Sequence, residues 1–159
     1  MRVTGPERYK LTFDANTFAV TCPKGTPNFS GSATSKKPKL YIASVEEKPI
    51  YVGVTKQSIR NRLRLRWKAN GKGGYYGYAW RNELTAATLD IWCHEDAPVE
   101  DSCLDTETVE AEVVFLIRDA GQWPAYQTEI HFHQSTTIHR EIAASIMKRY
   151  QHPCTVQPT

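Results

Sequence analysis

Two short runs rich in β-branched and aromatic residues, LYIASV at 40–45 and IYVGV at 50–54, are separated only by Glu46-Glu47-Lys48-Pro49. Neither is long enough for a stable helix, and a short charged connection predicts an antiparallel hairpin. The chain then changes period at once. Ser58 is a good N-cap, and Ile59, Leu63 and Trp67 recur every four residues, which predicts a helix to about Lys68 that stops at Asn70-Gly71-Lys72-Gly73-Gly74. A hairpin feeding an amphipathic helix buries both apolar surfaces by laying the helix on the sheet, so the expected class is α+β.

The remaining segments extend this unit. Residues 77–84 read as a short helix, TLDIWC at 88–93 as a third strand and 95–102 as an acidic loop. Asp105 or Thr106 is expected to cap a helix running through Asp119, closed by Gly121 and Trp123-Pro124. Ile138, Ile142, Ile146 and Tyr150 place a last helix from about Thr136 to Tyr150. At the other end, 9–14 and 18–21 pair around Ala15-Asn16, and a Pro/Gly/Ser/Lys-rich loop follows at 23–38. The expected fold is a small three-stranded antiparallel sheet flanked by helices in a core at 39–121. An extension at 1–38 adds the first hairpin and loop, and another at 122–159 packs a helix on the core.

A chain of 159 residues with 40% hydrophobic content fits a single globular domain. No apolar run approaches the ~20 residues of a membrane span, and the N-terminal MRVTGPERYK has no signal-like apolar stretch. The expectation is a cytoplasmic protein with no membrane partner. Cys22, Cys93, Cys103 and Cys154 are scattered without a Cys-x-x-Cys pair, which fits reduced thiols rather than a zinc site.

Charge is distributed more unevenly than the net value of +3 suggests. Lys56, Arg60, Arg62, Arg64, Arg66, Lys68, Lys72 and Arg81 follow one another with no intervening acid, whereas 95–112 carries only acidic charges. The basic block is interleaved with Trp67, Tyr75, Tyr76, Tyr78 and Trp80, the composition of a surface that meets a phosphate backbone. A solvated helix face is the alternative reading.

Tyr41 lies in the first strand of the central hairpin, Tyr51 follows ten residues later in Tyr51-Val52-Gly53, and Arg62 lies eleven further on. This ordered set resembles the GIY-YIG nuclease family, with Lys39-Leu40-Tyr41 in the place of GIY, Tyr51-Val52-Gly53 as YIG and Arg62 as the helix arginine. Lys39 stands where the family has glycine. The resemblance implies a β-β-α-α-β-α order between Leu40 and Asp119 and a glutamate on the later helix. On that helix Val109, Val113, Leu116 and Ile117 mark the buried face; Glu110 falls at its edge toward the sheet, and Glu112 on the opposite flank. Glu110 is therefore preferred and Glu112 is the alternative. The family's late asparagine has no clear counterpart, Gln127 and Gln134 being the nearest amides.

Phosphodiester hydrolysis needs an oriented water and neutralisation of charge on the phosphoryl oxygens. The resemblance implies Tyr41 as base or water-positioning group with Tyr51 assisting, and leaves open which takes the proton. It implies Arg62 as the stabiliser of negative charge and Glu110 as ligand of a hydrated Mg²⁺ or Mn²⁺. Lys56, Arg60, Arg64, Arg66, Lys68, Lys72 and Tyr76 are the expected DNA contacts, with Arg66 on the face of Arg62 and Arg60 toward solvent. Tyr75, Tyr78 and Trp80 either stack on bases or fill the core. Glu129, His131 and His133 mimic a metal site, packing and hydrogen bonding being the plainer alternative. The expected function is a metal-dependent endonuclease of restriction type acting on double-stranded DNA, as a homodimer because cutting both strands takes two sites. A repair or structure-specific nuclease and a non-catalytic DNA-binding module are the alternatives.

Overall fold

The computed structural model describes residues 1–74, 76–98, 100, 103–122, 124–127 and 130–150. Five strands form one antiparallel sheet: β1 (Val3–Phe13), β2 (Phe18–Thr21), β3 (Lys39–Val45), β4 (Lys48–Thr55) and β5 (Ala86–His94), in the spatial order β2-β1-β5-β3-β4. The helices are α1 (Ile59–Lys68), the single turn α2 (Trp80–Glu83), α3 (Leu104–Asp119) and α4 (Thr137–Met147). The α+β class is as expected; the sheet has five strands rather than three. The N-terminal hairpin accounts for the difference, because β1 pairs with β5 from Val3↔His94 to Thr12↔Ala86 and so continues the central sheet.

Alternating side chains of β3 feed two cores, which is why LYIASV is apolar at nearly every position. Tyr41 and Ala43 face α1 with Leu11, Leu89, Ile91, Ile59, Leu63, Trp67 and Trp80. Leu40 and Ile42 face α3 and α4 with Val52, Trp92, Val109, Val113, Ile117 and Met147. Helices therefore cover both faces of the sheet, and β4 forms one edge. That edge is clasped by the segment after α3: the Gln127 side chain accepts from Val52 N at 2.8 Å and donates to Val52 O at 3.0 Å, while Tyr126 N donates to Ile50 O at 3.0 Å. This arrangement satisfies backbone groups an edge strand leaves unpaired.

Two expectations about helix ends are corrected: α4 stops at Met147 rather than Tyr150, and α3 lacks the expected cap. Helix α3 begins at Leu104, after Cys103 in the left-handed region (φ 66°), and neither Asp105 nor Thr106 caps it. Asp105 instead meets His139 Nε2 at 2.7 Å, and His139 Nδ1 accepts from Thr136 N, so α4 starts against α3 through the N-cap Thr136. Ser58 does cap α1, accepting from Asn61 N at 3.3 Å. Cys22, Cys93 and Cys103 are buried thiols, and Cys154 lies outside the described residues. Among the described residues no helix is long and apolar enough to cross a membrane.

Three buried ionic side chains organise loops in ways that no periodicity reveals. Asp90, fully buried on β5, accepts from Arg8 Nε at 2.8 Å and from the Tyr150 hydroxyl at 2.7 Å, which joins β1, β5 and the end of the last helix. Arg81 caps the C-terminus of α1, donating to Arg66 O at 2.9 Å, Ala69 O at 2.6 Å and Trp67 O. Its charge satisfies carbonyls left without intrahelical partners. Lys39, also fully buried, donates to Ser35 O and Lys37 O, each at 2.7 Å, and reaches Lys56 O at 3.4 Å. Burial pulls its amine down to about 8.

Candidate active site

Tyr41 sits opposite Gly53 in the β3–β4 ladder, and its ring lies across that glycine. A Cβ at position 53 would come 2.5 Å from both Cζ and Oη of Tyr41, closer than non-bonded carbon atoms approach. The Tyr-Val-Gly sequence therefore has a steric meaning: the glycine is the slot for the first tyrosine. Gly53→Ala is expected to cost about 1–3 kcal/mol in urea unfolding, the range for an overfilled core. An alanine variant as stable as the parent would show that the ring is not confined by this contact.

A third tyrosine completes the cluster. The Tyr41 and Tyr78 hydroxyls are 2.7 Å apart, Tyr51 packs edge-on against Tyr78 at 5.1 Å between centroids, and Tyr41 and Tyr51 lie 6.1 Å apart. Tyr78 arrives through Gly77, whose φ of +73° and close approach to Arg66 O exclude a side chain. It then stacks on Trp80 at 4.8 Å. Burial, reinforced by the neighbouring phenol oxygens, raises the pKa of Tyr78 well above its ordinary value and that of Tyr51 similarly, with Glu110 adding to the latter. Both phenols hold their protons firmly. Tyr41 is fully buried, whereas Tyr51 is partly exposed and is the more accessible residue of this pair.

Helix α1 supplies the cations. Arg62 is half-buried and hydrogen-bonds Tyr41; burial opposes its charge, but the oxygens of Tyr41, Tyr78 and Tyr51 outweigh that and hold the guanidinium above its ordinary value. Arg62 Nε is buried and makes no hydrogen bond among the described residues. Arg66, one turn further on, places its guanidinium 5.7 Å from the centre of the Tyr78 ring, within cation–π range. On the other side α3 contributes Glu110, 6% exposed and close enough for its charge to act on Tyr51. Glu112 is partly exposed and outside the buried set of α3. The structure thus clusters Tyr41, Tyr51, Tyr78, Arg62 and Arg66, with Glu110 near enough for its charge to act on Tyr51.

The other expected residues are dispersed. Arg64, Lys68, Lys72 and Tyr76 are exposed, Tyr76 to 70%, and Lys56 lines a cleft at the start of α1. Arg60 lies over Phe29 at 5.5 Å and donates to Pro27 O at 3.3 Å rather than extending into solvent. Trp67, Tyr78 and Trp80 belong to the core, which removes them as base-stacking platforms; Tyr75 lies outside the described residues. His133 bonds Glu107 at 2.9 Å, His131 is exposed, and Glu129 lies outside the described residues. No group of three metal-binding side chains occurs among the described residues. Gln127 is committed to the β4 edge and Gln134 is exposed, so neither is seated in the tyrosine cluster as a stand-in for the absent asparagine.

Sequence reasoning missed Tyr78 as a member of this cluster. The available signal was Gly77, since a glycine between aromatic residues just after a helix marks a close backbone approach. No protein-family model, curated protein or solved structure matches the chain.

Proposed function

We propose that this chain is a metal-dependent endodeoxyribonuclease of the GIY-YIG type that hydrolyses phosphodiester bonds in double-stranded DNA. The observation that carries this reading is the buried, unaccepted Nε of Arg62 in a cluster that also holds a nearly buried carboxylate, Glu110. A buried donor without an acceptor calls for a ligand, and a planar cationic donor suits a phosphate oxygen. A pure DNA-binding surface gains nothing from a carboxylate beside that phosphate. A metal-assisted hydrolase does.

The donor set fits Mg²⁺ or Mn²⁺ in the sparse manner of ions that retain most of their waters: one carboxylate, Glu110, with phosphate and water completing the shell. Bound there, the ion would supply Lewis-acid polarisation of a phosphoryl oxygen. Arg62 binds the non-bridging oxygens and stabilises the charge that grows on them in the transition state. Arg66 adds positive charge behind it. Tyr51, the more accessible of the two strand tyrosines, orients the attacking water. Tyr41 lies behind Tyr51, and through its bond to Arg62 it sets the direction of the guanidinium; Tyr78 fixes Tyr41 in turn. Complete burial of Tyr41 is the reason for assigning it to positioning and Tyr51 to the water.

Restriction-type cleavage by a homodimer is the form of this activity that best fits a compact chain with elements added on both sides of the central hairpin unit. A plasmid-nicking assay with Mg²⁺, with Mn²⁺ and with EDTA tests the reading. Conversion of supercoiled plasmid that stops on chelation is the expected result, with full linearisation if two copies act together. Tight binding to duplex DNA without conversion under either metal would favour the non-catalytic binding module.

A further inference from the structure

A cleft lies at one end of the sheet, where β3 begins and β4 ends, against the first turn of α1. Its volume is about 780 Å³, and Lys36, Lys37, Lys56, Ser58, Asn61 and Pro98 are among the residues that line it; no acidic side chain does so among the described residues. That volume falls in the range of sites that enclose a small ligand. The Lys39 ammonium lies beside it and ties both basic walls together through Ser35 O, Lys37 O and Lys56 O. Lys37 also pairs with Glu95 at 3.2 Å, which fixes its segment to the end of β5. The cleft is thus a built concavity rather than a gap between loose side chains.

Its position relative to the candidate site is set by α1. Ser58 and Asn61 line the cleft, and Arg62 is the next residue on the same helix. Four residues of helix advance about 6 Å, and a duplex advances about 3.4 Å along its axis for each phosphate of one strand. The cleft therefore lies within reach of a nucleotide next to a phosphodiester held by Arg62. We propose that this cleft is a subsite for the nucleotide adjoining the scissile bond, with Lys36, Lys37 and Lys56 binding its phosphate. The inference rests on the nuclease reading given above.

The test uses the full chain, a short fluorescent duplex and Ca²⁺ in place of Mg²⁺ to suppress cleavage. Lys36→Ala combined with Lys37→Ala is expected to lower the log-log salt slope of binding by about two and to weaken binding about tenfold at moderate salt. Circular dichroism of this variant should match the parent. A duplex carrying one uncharged methylphosphonate linkage, moved step by step across the cut, should lose affinity for the parent at a linkage within two positions of the scissile bond. The double variant should lose nothing further at that linkage. An unchanged slope, or equal sensitivity of parent and variant at every linkage, would overturn the subsite while leaving the nuclease reading intact. A parent chain that neither binds nor nicks would instead remove the reading on which the subsite rests.

Discussion

Arg62→Ala is expected to lower DNA cleavage by about 10²–10³-fold, equivalent to about 2.7–4 kcal/mol of transition-state stabilisation. The fold should survive, because alanine is the strongest helix former and Arg62 lies on α1 beside, not within, the buried set Ile59, Leu63 and Trp67. The loss should fall mainly on kcat. Arg64, Lys68 and Lys72 remain exposed, so on the proposed function the variant should still bind DNA. Arg62→Lys should recover little, because an ammonium is a point charge and does not reproduce the planar fork. Parent-like single-turnover rates in Arg62→Ala would remove this arginine from the reaction.

Glu110→Gln is expected to abolish cleavage in Mg²⁺, by at least about a hundredfold, while preserving or tightening DNA binding. The side chain is replaced almost isosterically at a buried position, so packing with Val109, Val113 and Val114 should persist. What is lost is the negative charge that would hold the ion, and with it a repulsion toward phosphate. Glu112→Gln is the control: its side chain lies outside the buried face of α3, and it should cleave like the parent. If Glu112→Gln proved inactive and Glu110→Gln active, the placement of the carboxylate beside Tyr51 would have no catalytic meaning.

The central hairpin, the Ser58-capped helix and the buried face of α3 were all legible in the sequence. Each depends on a period of two or four residues that a short window contains. Glu110 was selected over Glu112 by the same logic, because the direction of a helical side chain follows from its position relative to the apolar stripe. The clustering of Tyr41, Tyr51 and Arg62 was implied by the resemblance rather than by periodicity, and the structure places Tyr41 near Tyr51 and in hydrogen-bond contact with Arg62.

The fate of the basic residues was not legible. Eight cations in an acid-free stretch look alike in sequence, yet Arg81 caps a helix, Arg66 lies on a buried phenol, Arg60 lies on Phe29, and Arg64 remains exposed. Aromatic residues divided in the same way, with Tyr78 and Trp80 buried and Tyr76 exposed. Nor does a lysine in a strand announce that three carbonyls from two separate segments will surround it, as they do Lys39. The sequence by itself determined the local elements and the faces they bury, because both are set by spacing within a few residues. Only the tertiary structure decided that β1 pairs with β5, that Tyr78 meets Tyr41, and which cations serve the fold, because these depend on contacts between residues far apart in the chain, whose register no local pattern encodes.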